Sequence, residues 1–151
     1  MPTIYFATDH AGFGLKNELL AFVRDTLGYE VIDCGASVLD TDDDYPDVIA
    51  AAARKISKSP TDKAIILGGS GQGEAMVANR FPHVRATAYY GGNPEIITLS
   101  RTHNDANVLS LGARFLNTAE AKQAVQQWLE ESFSADLRHI RRIKKIEHVI
   151  E

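Results

Sequence analysis

The chain has 151 residues, with 16 lysines and arginines against 20 aspartates and glutamates, so its formal net charge at pH 7 is -4. This length predicts one domain over residues 1–151, with a core that needs neither a disulfide nor a metal ion. The acidic balance argues against nucleic-acid binding, and the single cysteine, Cys34, excludes an internal disulfide.

The lone thiol is typical of a reducing compartment, so we expect a cytoplasmic protein. The apolar stretch near the N-terminus is too short for a signal peptide or a membrane span. No cysteine and histidine cluster has the spacing of a structural zinc site. We therefore expect no membrane attachment and no metal.

Short β-branched and aromatic runs alternate along the chain with longer amphipathic segments, a pattern typical of a parallel sheet covered by helices on both faces. In chain order, the predicted elements are strand Thr3–Thr8, helix Gly14–Leu27, strand Glu30–Cys34, helix Pro46–Ser57, strand Lys63–Leu67, helix Glu74–Arg80, strand Val84–Tyr90, helix Pro94–Thr102, strand Val108–Leu111 and helix Asn117–Glu131. Before the second helix, the acidic stretch 40–44 is predicted to be a solvated loop. The expected fold is a three-layer α/β/α sandwich with a Rossmann-like five-stranded parallel sheet.

The segment from Arg138 onward combines an apolar stripe with positive charge, which predicts a C-terminal basic amphipathic helix. The stripe consists of Ile140, Ile143, Ile146 and Ile150. Arg138 and Arg142 are four residues apart, so their guanidinium groups share one helix face and can clamp a phosphate. The alternative is a solvated basic face.

Three polar segments adjoin predicted strands: residues 9–12 and 68–74 follow the first and third strands, and residues 103–107 precede the fifth. Ligands of open parallel sheets bind at the carboxyl ends of the strands, so these segments can converge on one site if the chain has this fold.

The segment 68–74 reads GGSGQGE, and its glycines leave backbone N–H groups free to approach an anion. A tight turn with positive φ is the alternative. The segment lacks the Lys-Ser/Thr pair of a Walker loop and the full glycine spacing of a dinucleotide fingerprint. Glu74 is a candidate general base, or only a partner of the helix dipole.

Histidines in the other two segments are candidates for proton transfer or ligand contact. His103 lies beside Asn104 in a polar segment, where a surface loop histidine is the alternative. His10 follows Asp9, which instead can cap the next helix. Cys34 is expected to be a small buried strand residue without a catalytic role.

Five motifs, in this order, resemble the ribose-5-phosphate isomerase type B family: Thr8-Asp9-His10-Ala11-Gly12-Phe13, Asp44-Tyr45-Pro46-Asp47, GGSGQGEAMVANR, SRTHNDANVLSLGAR and RHIRRI. The match spans nearly the whole chain. This family also includes galactose-6-phosphate isomerase subunits, so the resemblance does not fix the sugar. It implies a metal-free, cofactor-free intramolecular oxidoreductase that interconverts D-ribose 5-phosphate and D-ribulose 5-phosphate through a cis-enediolate.

The resemblance also implies residue roles. His103, by its place in the HND segment, looks like the group that opens the sugar ring. Many family members have a cysteine where this chain has Gly68, and the chain is similar to the branch in which a glutamate, here Glu74, is the base. The implied substrate contacts are Asp9, His10, Gly69, Ser70, Gly71, Gln72, Gly73 and Asn104. The implied phosphate contacts are His10, Arg114, Arg138, His139 and Arg142.

Family members are homodimers or dimers of dimers whose active sites draw residues from two subunits, so a homo-oligomer is expected here. Two alternatives for the function stay open. The first is an isomerase of a hexose or tetrose phosphate, for which Tyr89 and Tyr90 would shape the pocket. The second is a noncatalytic sugar-phosphate binding module, against which the presence of both Glu74 and His103 argues.

Overall fold

Five parallel strands form one sheet in the computed structural model, which describes residues 1–151. The strands are β1 (Ile4–Thr8), β2 (Val31–Asp33), β3 (Lys63–Gly68), β4 (Ala86–Tyr89) and β5 (Val108–Gly112). The helices are α1 (Phe13–Ala21), α2 (Tyr45–Lys58), α3 (Gln72–Ala78), α4 (Glu95–Thr102), α5 (Thr118–Glu130) and α6 (Leu137–Glu147). The strand order is β2-β1-β3-β5-β4, and every neighbouring pair is parallel.

Two apolar cores, one on each face of the sheet, bury the amphipathic faces of the helices. On one face, α1, α4 and α5 pack against strand residues such as Phe6 and Leu109, with Trp128 fully buried among them. On the other face, Ile56 of α2 and Ala78 of α3 belong to the second core. The predicted three-layer α/β/α sandwich is confirmed.

Local signals for helix ends agree with the structure. The helical segment α1 continues through a wider π-helical turn over Phe22–Thr26, and Gly28 follows with φ of 81°. A capping box opens α5, in which Glu120 N donates to Asn117 Oδ1 at 2.8 Å and Asn117 N donates to Glu120 Oε1 at 3.1 Å. The edge strands β2 and β4 are shorter than predicted, since each pairs on one side only. Cys34 consequently lies just beyond β2 and is half-buried, not buried in a strand.

The terminal helix α6 and the residues after it leave the end of the predicted apolar stripe uncovered, while Ile140 and Ile143 are half-buried. Ile146 is 52% exposed and Ile150 is 94% exposed, whereas His139 is buried. Near the end of the helix, Glu147 accepts hydrogen bonds from Arg85 Nη1 at 2.9 Å and His83 N at 3.1 Å. The helix is therefore held against the start of β4 while apolar side chains stay in solvent. None of the helices has the length and apolar character needed to cross a bilayer.

Candidate active site

Candidate residues gather at the edge of the sheet where the parallel strands end. Asp9 and His10 follow β1, the glycine loop 69–73 follows β3, and Arg114 follows β5. We call the carboxyl-edge cluster the set Asp9, His10, Asp43, residues 69–73, Glu74 and Arg114. These segments meet because carboxyl ends of parallel strands share one edge.

The Glu74 carboxylate lies against the backbone of Gly68, in the space that a side chain there would fill. A Cβ atom placed on Gly68 would overlap both carboxylate oxygens. Glu74 is only 4% exposed. Burial raises the pKa of the Glu74 carboxyl above its ordinary value and the charge of Asp9 adds to this, while a hydrogen bond from the residue's own backbone opposes it. A buried carboxylate of this kind suits a general base at neutral pH.

The glycine loop presents backbone N–H groups beside this carboxylate. The N–H groups of Gly69 and Gly71 have no acceptor within the chain, and Gln72 N donates to Ser70 Oγ at 3.3 Å. Gly71 has φ of 78°, a left-handed conformation that glycine adopts readily. The loop therefore offers free donors next to Glu74, as an oxyanion site requires.

Side chains from other elements close around the glycines. The Arg114 guanidinium lies 3.2 Å from where a Cβ of Gly69 would be, and the Tyr45 ring lies directly against Gly73. Larger residues at either position would displace these side chains. The glycines thus allow an arginine and a tyrosine to approach the loop closely.

His10 is held by a carboxylate that follows β2 in the chain. His10 Nδ1 lies 2.7 Å from Asp43 Oδ1, and His10 N donates to the same oxygen at 3.3 Å. The hydrogen bond to Asp43 raises the pKa of His10, with burial and the charge of Arg114 opposing. Asp9 Oδ1 accepts from Ala11 N at 3.0 Å, so the capping role predicted as an alternative for Asp9 is confirmed.

A second group of candidates surrounds the start of α6. We call the amino-edge cluster the set His103, Asn104, Arg138, His139 and Arg142. The His103 and His139 rings stack with centroids 4.2 Å apart, and His139 Nδ1 lies 2.9 Å from Ser134 Oγ. Burial lowers the pKa of His139, the charges of His103, Arg138 and Arg142 lower it further, and the charge of Asp136 opposes them. This excess of positive charge favours an anion.

The two clusters lie at opposite edges of the sheet within one chain. Asn104 O accepts from Arg85 Nε at 3.0 Å, beside the start of β4, whereas Glu74 adjoins Gly68 at the end of β3. A strand of this length separates the two edges by about 16 Å at the usual rise per residue. The three polar segments therefore do not converge within a single chain, because residues 103–107 precede their strand and do not follow it.

Comparisons with known proteins agree with the fold and identify the family. The family model described as Ribose/Galactose Isomerase matches residues 4–146. The chain belongs to the ribose/galactose isomerase family. Within that family it is 39% identical over 140 residues to the ribose-5-phosphate isomerase B of Mycolicibacterium paratuberculosis, covering 93% of this chain and 86% of the relative. The Escherichia coli ribose-5-phosphate isomerase B is 36% identical, with 97% and 95% covered.

Solved structures of family members share the whole fold. The crystal structure of ribose-5-phosphate isomerase B from Mycoplasma genitalium with bound ribulose-5-phosphate matches with a TM-score of 0.92 at 34% identity, covering 97% of this chain and 95% of that one. Because the chain shares this fold and is similar over most of its length to ribose-5-phosphate isomerases B, it is an isomerase.

Two residues of the carboxyl-edge region had no role in the sequence-based prediction. Asp43 lies in the acidic stretch predicted as a solvated loop, yet its side chain is only 14% exposed and binds His10. Nothing in the sequence distinguishes Asp43 from its acidic neighbours, because the contact spans 33 positions. Tyr45 belongs to the family-like motif at positions 44–47, and that motif could have indicated a role for it.

Proposed function

We propose that the protein interconverts D-ribose 5-phosphate and D-ribulose 5-phosphate through a cis-enediolate, with Glu74 as the base and His103 as the acid/base that opens the ring. The observation that carries the proposal is the buried Glu74 carboxylate, packed on Gly68 beside unpaired N–H groups. The substrate is supported by the names of the relatives and by the ribulose-5-phosphate in the Mycoplasma genitalium structure.

In the proposed reaction, Glu74 removes the proton from C2 of the open-chain aldose and returns it to C1. The hydroxyl proton on O2 passes to O1, so the carbonyl moves from C1 to C2 and the carboxylate is regenerated. Backbone N–H groups of Gly69–Gly73 stabilise the enediolate oxygen, and one such preorganised donor is typically worth about 3–4 kcal/mol. Ser70 and Gln72 hold a substrate oxygen at the loop, and Asp9 contacts the sugar hydroxyls.

The complete site is proposed to form between two copies of the chain, as a homodimer or a dimer of dimers. One copy supplies the carboxyl-edge cluster, and the second supplies the amino-edge cluster, in which Asn104 contacts the sugar. The separation of the clusters supports this arrangement, as does the uncovered stripe of α6, which needs an apolar partner.

The phosphate is then held by cations from both chains. Arg114 and His10 approach it from one copy, and Arg138, His139 and Arg142 from the other. Binding this nonreacting group fixes the sugar for proton transfer at the opposite end. Because the phosphate lies at the opposite end of the sugar from the reacting carbons, its contacts can come from both clusters.

Turnover of ribose 5-phosphate by the purified protein in the presence of EDTA tests the proposed function. Every acid, base and hydrogen-bond donor in the proposed reaction belongs to the protein itself, so we expect full activity with the chelator. A cytoplasmic location suits such an enzyme. Absence of pentose turnover would contradict the substrate, and hexose and tetrose phosphates would then be assayed. Calorimetric binding without isomerisation of any of them would instead favour a noncatalytic binding module.

The aromatic pair Tyr90 and Phe115 is placed to influence which sugar is preferred. Their rings are 6.1 Å apart, and Tyr90 Cβ lies close to Gly112, which itself adjoins Ser70 O. We expect Tyr90→Ala to change the order of kcat/KM among pentose, hexose and tetrose phosphates, because it removes a wall near the glycine loop. Ile96→Ala, an exposed change on α4, is the control. If Tyr90→Ala shows the same order of kcat/KM among these sugar phosphates as the parent, this role of Tyr90 is contradicted.

A further inference from the structure

Asp43 and His10 form a close pair, and Asp43 has no role in the proposed reaction. Asp43 Oδ1 lies 2.7 Å from Nδ1 of the His10 ring and accepts a hydrogen bond from the His10 backbone N–H at 3.3 Å. The other oxygen, Oδ2, is buried and has no hydrogen-bond partner in the protein. The negative charge of Asp43 is therefore balanced chiefly by His10.

The loop that carries Asp43 is anchored on both sides. On its β2 side, the buried Lys16 Nζ lies 2.8 Å from each Asp33 carboxylate oxygen and 2.8 Å from Ala36 O. Within the loop, Asp43 N donates to Asp40 O at 3.2 Å, and on the α2 side Tyr45 packs on Gly73. The carboxylate consequently reaches His10 from a constrained segment, although the acidic stretch 40–44 is otherwise mostly exposed.

This contact decides which ring atom of His10 faces a ligand. With Nδ1 donating to a carboxylate, Nε2 is the nitrogen left for other partners. A neutral ring would present a lone pair at Nε2, which repels a phosphate oxygen, whereas an imidazolium presents a second N–H donor. The protonation state of His10 therefore determines whether it attracts or opposes an anion.

Three charged groups act on His10. The carboxylates of Asp43 and Asp9 favour the imidazolium, and the Arg114 guanidinium disfavours it. The hydrogen bond to Asp43 is the largest of these influences and raises the pKa of His10, while burial lowers it. Without Asp43, the arginine that shares the cluster would push His10 towards its neutral form.

We propose that Asp43 is a positioning residue that holds His10 as an imidazolium beside Arg114, so that the two cations together bind the phosphate group of the substrate. This role rests on the proposed function, because it takes the ligand to be a sugar phosphate. Asp43 then affects substrate affinity indirectly, because its carboxylate acts through His10.

The test compares Asp43→Asn and Asp43→Ala with Asp42→Asn in the full-length protein. Asparagine keeps an acceptor oxygen for His10 but removes the charge, whereas alanine removes both. Asp42 is an exposed neighbour in the same loop and makes a matched control. The readouts are an NMR titration of His10, assigned with a His10→Gln spectrum, the Kd of inorganic phosphate, and kcat and KM for ribose 5-phosphate as functions of pH.

In Asp43→Asn we expect a lower His10 pKa, weaker binding of inorganic phosphate, and a KM about tenfold higher at neutral pH, as loss of one charged hydrogen bond implies. The effect on kcat should be smaller than that on KM. As pH rises, phosphate affinity should fall once His10 loses its proton, and this fall should begin at lower pH in Asp43→Asn than in the parent. Asp43→Ala should lose at least as much, and Asp42→Asn should match the parent.

An unchanged His10 titration or an unchanged phosphate affinity in Asp43→Asn would overturn the role of Asp43. These two measurements require no turnover, so they separate this inference from the proposed function. If the parent binds phosphate through a charged His10 but does not isomerise ribose 5-phosphate, the proposed substrate is refuted while the Asp43–His10 pair is supported.

Discussion

Glu74→Gln is expected to lower kcat/KM for ribose 5-phosphate by roughly 10²–10⁴-fold, the usual contribution of a positioned general base. Glutamine fills nearly the same volume against Gly68, so the protein should stay folded, but its amide cannot accept the C2 proton. Glu95→Gln is the matched control, because Glu95 is also an acid in the first turn of a helix and is exposed. Full activity of Glu74→Gln would overturn the proposed mechanism.

The pH dependence of the parent enzyme checks the same assignment without a mutation. A general base must be unprotonated, so kcat/KM should fall as pH is lowered through the pKa of Glu74. Because burial raises that pKa, the acid limb should lie above the ordinary range of a glutamate. An acid limb at the value of a free glutamate would contradict a buried base.

Gly68→Ala is expected to cost about 10²-fold in kcat/KM, the scale of a small misplacement of a catalytic group. The new methyl group would occupy the space that the Glu74 carboxylate fills, so the base must move. Gly14→Ala is the control for adding a methyl group, because nothing lies within 4 Å of a Cβ there. Steady-state kinetics together with thermal unfolding separate the catalytic loss from any loss of stability.

A double substitution distinguishes displacement of Glu74 from a general disturbance of the loop. If Gly68→Ala acts through the base, then Gly68→Ala with Glu74→Gln should be no less active than Glu74→Gln alone. Additive losses would show that the methyl group damages something else. The same steric relation predicts that a cysteine at position 68 would displace the buried Glu74 carboxylate, since both would occupy the same space.

Fold class and element order could be predicted from the sequence because they depend on local patterns. The predicted helix Asn117–Glu131 is observed as α5, where Asn117 and Glu120 cap the first turn and Trp128 is buried. The lengths of β2 and β4 could not be predicted, because strand length at a sheet edge depends on the neighbour. The prediction that Cys34 is a buried strand residue was wrong for that reason.

The chemistry of the site was visible in the sequence, whereas its geometry was not. Glycines and Glu74 in one short segment indicated a cradle with a base, but only the folded chain brings that carboxylate onto Gly68. The contact between Asp43 and His10 joins two loops and leaves no local pattern. The division into two clusters follows from the direction of α4, which returns His103 to the edge opposite Glu74.

Complementation between two inactive variants tests most directly whether the site forms between chains. Glu74→Gln and His103→Asn would be co-expressed with different tags, and the hybrid pair would be purified through both tags. In a hybrid, one site combines the intact Glu74 of one chain with the intact His103 of the other, and the second site carries both substitutions.

We predict that each variant alone is nearly inactive, while the hybrid recovers about half of the parent activity, one intact site of two in a symmetric pair. A site built within one chain would leave every site of the hybrid with one defect. A hybrid as inactive as its two parents would therefore contradict a site shared between chains.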